Sequence, residues 1–210
     1  MKYKLAIFDF DGTLANSFPF ILSILDSLAD QYHIQRVNAD DLRELRKLHT
    51  RQVIEHFNFP MWKLPIIGRN VNRQMSENIH EVQLFEGIDV VLKDLAELGI
   101  ILVVVSSNSY ENVVRVLGRE TSSLFSHFEC GSSIFGKKGR FKRVLRKFKI
   151  DPSEVISIGD EIRDLEASQK AKIPFGAVTW GYTDPDAFAS LQPNHLFKSV
   201  NDIRAVLTGL

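Results

Sequence analysis

Four apolar residues, Leu5 to Phe8, run straight into Asp9, and Asp11, Gly12 and Thr13 follow at once. A short apolar run closed by acids and glycine reads as a buried strand. The period then changes. Ile21, Leu22, Leu25, Leu28 and Ala29 recur at helical spacing, so Ser17–Tyr32 is expected to be a helix, with Ser17 capping its start and Pro19 tolerated in the first turn. Asn38 and Asp41 mark a second helix start, and Leu42, Leu45 and Leu48 continue its stripe. Thr50–Phe57 and Ile66 to about Glu81 read as further helices, parted by the proline-flanked stretch Phe59 to Pro65. No convincing strand is expected between residues 15 and 85, so this helical block looks like an insertion after the first strand.

Beyond it, strands and helices alternate. A helix over Gly87–Leu98 is stopped by Gly99, and Ile100–Val105 reads as a buried strand ending at Ser106-Ser107-Asn108. Asn108 and Glu111 resemble a capping box for a helix to Leu117. A short strand at Phe128–Cys130 and a basic helix over Gly139–Phe148 come next. The strand Val155–Ile158 ends at Gly159-Asp160-Glu161, and a helix over Arg163–Ala171, a strand over Phe175–Val178 and a short helix from Asp184-Pro185 follow. Leu196-Phe197 and Asn201–Leu207 supply a last strand and helix. This alternation predicts an α/β fold with a parallel sheet covered on both faces. Ligands of such sheets bind outside the carboxyl ends of the strands, at a topological switch point. Asp9, Ser106 and Asp160 end three strands and are therefore expected to converge.

Composition narrows the class. Of 210 residues, 44% are hydrophobic and 25% charged, which excludes wholesale disorder. Lysine plus arginine balance aspartate plus glutamate, so nothing points to nucleic acid as a partner. No run of about 18 apolar residues exists, so no membrane span is expected. The first apolar run is too short for a signal peptide, and the single cysteine, Cys130, fits a reducing compartment; the expectation is a cytoplasmic protein. The histidines at 33, 49, 56, 80, 127 and 195 form no HxH or HxxxH pair, so a zinc site is not expected.

The acids carry the candidate chemistry. Asp9, Asp11, Asp160, Glu161 and Asp164 would gather at one mouth, where they repel unless a cation offsets them, and hard oxygen ligands favour Mg2+ or Ca2+. A carboxylate can attack phosphorus to form an aspartyl-phosphate. A neighbouring acid can protonate the leaving oxygen and then activate water. A serine hydroxyl and a lysine ammonium could hold the phosphoryl oxygens.

FDFDGTL, VVVSS, the lysine of FGKKG and ISIGDEIRD, in that order, closely resemble the four motifs of the haloacid dehalogenase-like phosphohydrolases, with the phosphoglycolate-phosphatase-like branch nearest. The resemblance covers residues 1–14 and 87–210, and implies a Rossmann-like parallel sheet core with a small α-helical cap inserted at 15–86. It implies Asp9 as nucleophile and metal ligand, Asp11 as general acid/base with its carbonyl on the metal, and Asp160 as a further ligand. Ser106, with help from Ser107, and Lys137 or Lys138 would bind the phosphoryl group. Lys137 is favoured because it directly follows Gly136, although the Lys-Pro pair of many relatives is missing. Asp164 would act through water or by orienting neighbours. Because Asp11 is present, phosphoryl transfer is favoured over dehalogenation. The expected activity is Mg2+-dependent hydrolysis of a small phosphorylated metabolite, phosphoglycolate-like or a sugar phosphate. A phosphomutase and a non-catalytic binding module are the alternatives.

Several residues carry plainer expectations. Asn108 is read first as a helix cap, Thr13 as ordering its own loop, Gly12 as allowing close backbone approach, and Glu161 as a first-turn acid. Trp62 is expected to pack, Trp180-Gly181-Tyr182 to form a turn with packed aromatics, and the helix over residues 138–149 to be solvated on its charged face. Arg51 and Lys63 are the inserted block's candidates for touching an anionic substrate.

Overall fold

A computed structural model describes residues 2–56, 61–131 and 136–209. The chain begins with β1 (Leu5–Phe8) and β2 (Ala15–Asn16), then α1 (Phe18–Tyr32), α2 (Ala39–Leu45), α3 (Thr50–His56) and α4 (Leu64–Glu77). β3 (Gln83–Leu84), α5 (Ile88–Glu97), β4 (Ile101–Val105), α6 (Tyr110–Ser123), β5 (Phe125–Glu129) and α7 (Lys137–Phe148) follow. The last elements are β6 (Val155–Gly159), α8 (Ile162–Ala171), β7 (Phe175–Val178), α9 (Pro185–Ala189), β8 (His195–Phe197) and α10 (Val200–Thr208).

Six strands form one parallel sheet in the order β5-β4-β1-β6-β7-β8. The chain builds outward from β1 to one side through β4 and β5, then to the other through β6, β7 and β8. The switch point therefore lies at β1, and the carboxyl ends of β4, β1 and β6 are neighbours. Both faces are covered, which is why the central strands β1 and β4 read as unbroken apolar runs. Ala6, Phe8, Leu102, Val104, Ile156 and Ile158 face α5 and α10 through Val91, Leu92, Leu95, Ile203 and Leu207. Leu5, Ile7, Val103, Val105 and Val155 face α7 and α8 through Phe141, Val144, Ala167 and Ala171. Close packing leaves little slack at β7. A methyl group at Gly176 would overlap the buried Phe197 ring. Gly176→Ala is expected to lower stability by about 1–3 kcal/mol, read as a lower midpoint in urea unfolding.

The helical block differs from expectation in places. β2 and β3 pair antiparallel at its foot, with Ala15 opposite Leu84 and Asn16 opposite Gln83, so the stretch between residues 15 and 85 does hold strands. Two-residue strands are too short to show an alternating pattern. Ser17 does not cap α1 with its side chain; its Oγ instead shares a 2.7 Å hydrogen bond with the Tyr182 hydroxyl. α4 starts at Leu64 and accepts Pro65 in its first turn, where no amide hydrogen is required. It ends at Glu77, and a single 3-10 turn over Ile79–Glu81 completes the stretch. α6 runs past Leu117 but is interrupted at Gly118, whose φ of 70° and ψ of 173° are not helical. Asn38 does open α2, its Oδ1 accepting from the Asp41 amide at 2.8 Å. Among the described residues no helix is long and apolar enough to cross a membrane.

Candidate active site

Asp9, Ser106 and Asp160 each directly follow a strand, and those three strands are adjacent. Lys137 opens α7, and Asp164 lies in the first turn of α8, which packs against α7. The Lys137 ammonium bridges the two elements, 2.6 Å from Asp9 Oδ2 and 2.5 Å from Asp164 Oδ1. Asp9 Oδ1 accepts from the Phe10 amide at 2.8 Å. Asp160, fully buried, accepts from Thr13 Oγ1 and from the Tyr182 amide, each at 2.8 Å. Two backbone segments press against its carboxylate: a Cβ at Gly12 or Gly181 would overlap it, and Gly12 also holds a φ of +72°.

One carboxylate oxygen each from Asp9, Asp160 and Asp164 lies within 4.8 Å of the other two. The second Asp164 oxygen is buried and has no hydrogen-bond partner among the described residues. Four acids, Asp9, Asp160, Glu161 and Asp164, face two cations, Lys137 and Arg163, and burial and mutual repulsion make it costly for Asp160 and Asp164 to ionise without a further positive charge. An oxygen-only donor set with an unsatisfied oxygen fits a hard divalent cation.

The protonation equilibria divide accordingly. Burial pushes the Asp9 carboxyl up, but the Lys137 ammonium and then the Arg163 guanidinium outweigh it and hold Asp9 below the usual carboxylate range. Asp11 has no ammonium against it, and burial first and the Asp9 charge second outweigh Ser17, Asn108 and Arg163 and push it up to about 6. Asp160 is driven well above the usual range by burial, then by Glu161, Asp9 and Asp164. Burial would discharge Lys137, yet Asp164 and Asp9 more than compensate and raise its pKa.

The sequence profile of the haloacid dehalogenase-like hydrolases matches residues 6–178. The chain belongs to that family. A phosphoglycolate phosphatase of Synechococcus elongatus is 30% identical over 97% of each chain. An N-acetylmuramic acid 6-phosphate phosphatase of Pseudomonas putida is 24% identical over 89% of this chain and 87% of that one. The crystal structure of a predicted phosphatase from Clostridium acetobutylicum covers 100% of both chains with a TM-score of 0.84 at 20% identity. This chain is thus a haloacid dehalogenase-like hydrolase with the family's α/β core and helical cap.

Several residues of this hydrolase sit differently from the sequence reading. Asn108 is not the cap of α6. Ser109, in extended conformation one residue later, takes that place and accepts from the Asn112 amide. Asn108 is thereby released to donate from Nδ2 to both Asp11 oxygens, at 3.0 and 3.2 Å. Thr13 ties its loop to Asp160 across the sheet rather than within the loop. Glu161 pairs with Arg163. Ser106 is fully buried; its Oγ accepts from the Asn108 amide, and its carbonyl accepts from Arg140 Nη1 at 2.6 Å. Lys137 is buried while Lys138 is exposed. Trp62 does not pack inside: it is 70% exposed, and Lys63 Nζ lies 5.5 Å from its ring centroid. The side chain of Arg51 lies outside the described residues.

Arg163, Arg140 and the Gly181-Tyr182 backbone were not singled out by their sequence pattern. A signal existed for Arg140. It falls with Lys137, Phe141 and Val144 on one face of α7, and that face is buried, so the helix is solvated only on its other sides. Trp180 and Tyr182 do pack, against Phe85 and Phe18.

Next to Asp11 a cavity of about 220 Å³ opens between core and cap. Ile21 of α1 and Leu64, Ile67, Val71 and Met75 of α4 form its apolar wall; Asp11, Ser107, Asn108 and Arg163 lie on its polar side.

Proposed function

We propose that this hydrolase is a Mg2+-dependent phosphatase that acts on a small phosphomonoester through a phosphorylated Asp9. The observation that carries the reading is the Lys137 bridge: one buried ammonium contacts both Asp9 and Asp164 beside the acidic cluster at the switch point. Asp9 and Asp160, with the Asp11 carbonyl, would hold Mg2+, and Asp164, gathered in the same cluster, would act through water or by orienting its neighbours. The ion would neutralise phosphoryl oxygens and draw the ester against the acidic cluster.

Asp9 Oδ attacks phosphorus while the bond from phosphorus to the ester oxygen breaks. The leaving oxygen takes the proton of the Asp11 carboxyl, whose pKa of about 6 lets a fraction carry that proton near neutrality. Asp11, now a carboxylate, removes a proton from water. That water attacks phosphorus, the bond from phosphorus to Asp9 breaks, and inorganic phosphate leaves. Lys137 and the Ser106 hydroxyl hold the phosphoryl oxygens through both steps, with Ser107 at their side. Gly12, Thr13 and Glu161 support this arrangement through Asp160 and Arg163. Residues 1–14 and 87–210 would be the core and 15–86 the cap. The leaving group would occupy the cavity at Asp11, whose volume suits a phosphoglycolate-like ester or a small sugar phosphate; Lys63 and Arg51 lie in the cap, with Lys63 outside the wall of that cavity.

The test is phosphate release from a panel of phosphomonoesters that includes 2-phosphoglycolate, sugar phosphates and acetyl phosphate, with Mg2+ and with EDTA. Release in Mg2+ and at least about a 100-fold loss in EDTA are expected. Release that EDTA leaves unchanged would remove the metal from the reading, and an inert panel would remove the phosphatase.

A further inference from the structure

Asn112 of α6 is fully buried and has no place in the chemistry above. Its Nδ2 donates twice. One bond, of 2.8 Å, goes to the main-chain oxygen of Asn72 on cap helix α4; the other, of 3.1 Å, goes to Asn108 Oδ1. Asn108 Oδ1 also accepts from the Ser109 amide at 2.8 Å, which fixes which end of that amide is oxygen. Its Nδ2 must then face the Asp11 carboxylate, where it makes the two bonds already described, with Met75 Sδ of α4 at 3.0 Å. Asn72 answers by donating Nδ2 to the Ser107 carbonyl at 3.4 Å. One continuous run of hydrogen bonds therefore leads from the backbone of the cap to the proposed general acid.

The arrangement is costly. Asn112 Oδ1 is buried without a partner among the described residues, and an unsatisfied buried polar atom opposes folding. An apolar residue of the same shape would fill the space without that cost. The amide earns its place only through its two N–H groups, and both point along the run.

Resting on the phosphatase reading, we propose that Asn112 is a positioning residue that couples the seating of the cap to leaving-group protonation. With α4 seated, Asn112 is held between Asn72 and Asn108, and Asn108 holds the Asp11 carboxyl toward the leaving oxygen. With α4 withdrawn, Asn112 loses its acceptor on the cap and Asn108 loses Met75, so Asn108, and with it the Asp11 carboxyl, is held less tightly. Acid catalysis is thereby confined to the state in which cap and core enclose the ester.

The test compares two esters on one enzyme preparation in Mg2+. Acetyl phosphate releases a carboxylate, which needs no proton near neutrality; an alkyl ester releases an alkoxide, which does. The alkyl probe is 2-phosphoglycolate, or the fastest alkyl ester of the panel. The readout is the ratio of the two kcat/KM values, which excludes the shared hydrolysis of the phosphorylated enzyme and cancels any unfolded fraction. Asn112→Leu is expected to lower kcat/KM for the alkyl ester by about 10-fold or more relative to acetyl phosphate. Arg115→Ala removes a different link to the cap, to the Ser76 carbonyl at 2.9 Å and its Oγ at 3.0 Å, and should leave the ratio unchanged. Asn108→Ala and the Asn108→Ala/Asn112→Leu double variant should show the same ratio, because the two act through one run. Equal losses on both esters in Asn112→Leu, or a further fall of the ratio in the double variant, would overturn the proposal. Should the leucine variant fail to fold, Asn112→Ser is read in the same way. A wild type inert toward both esters would instead bring down the phosphatase reading, and this inference with it.

Discussion

Asp9→Asn is expected to reduce phosphate release by about 10⁴-fold or more, with the fall in kcat. Asparagine matches the shape but not the contacts. Asp9 offers one oxygen to the Phe10 amide at 2.8 Å and the other to Lys137 Nζ at 2.6 Å, so both neighbours are donors. An amide can satisfy only one of them and must turn its NH2 toward the other. Thermal unfolding is therefore recorded beside the assay, to separate lost chemistry from lost structure. Intact mass separates them further. In acetyl phosphate, Asp11→Asn should accumulate one phosphoryl group, because attack by Asp9 needs no proton from residue 11 with that ester while hydrolysis of the product needs a base. Asp9→Asn should accumulate none. A folded Asp9→Asn protein that releases phosphate at the wild-type rate would exclude Asp9 as the nucleophile.

The features legible in the sequence share a physical cause. β1, β4 and β6 are buried on both faces, so β1 and β4 are apolar runs that stop at their first polar residue, and β6, interrupted only by the buried Ser157, ends at Gly159 just before Asp160. In a parallel sheet that residue is at the carboxyl edge where ligands bind. Asp9, Ser106 and Asp160 stand out in the sequence for that reason alone. Features set by distant partners left weaker traces. Thr13 looks like a loop residue until Asp160, 147 positions later, is seen to accept its hydroxyl. Asn108 fits a capping box as well as Ser109 fits a cap, and only the Asp11 carboxylate across the cleft decides its use. Gly181 matters because the Asp160 carboxylate lies where its side chain would be, and no local pattern carries that. β2 and β3 are pinned by the chain leaving and re-entering the core, as in the Phe85 amide's bond to the Leu14 carbonyl, rather than by their own composition. Trp62 shows the converse: its size favours burial, yet it is exposed on the cap, where Lys63 covers its ring.

Lys137→Ala should damage stability and activity together, and the two losses should respond differently to a divalent cation. The ammonium is buried and within 2.6 Å of two carboxylates that are themselves buried. Removing it strands both acids, and breaking a buried pair from one side typically costs about 3–5 kcal/mol. Arg163 offsets only part of this, since Glu161 already engages it. In EDTA the variant should therefore unfold at clearly lower urea than the wild type. Added Mg2+ should raise its midpoint more than that of the wild type, because a site that has lost a neighbouring cation binds another more tightly and stabilises the fold by mass action. Activity should stay low at saturating Mg2+, since the ion cannot replace the donor that holds the transferring phosphoryl group. Lys138→Ala is the matched control: that side chain is exposed, and its loss should change stability by no more than about 0.5 kcal/mol. If Lys138→Ala were the inactive variant and Lys137→Ala the active one, the phosphoryl-binding lysine would be the other member of the pair. If Mg2+ restored both stability and turnover to Lys137→Ala, the lysine would be a counter-charge for the acids and would take no part in holding phosphate.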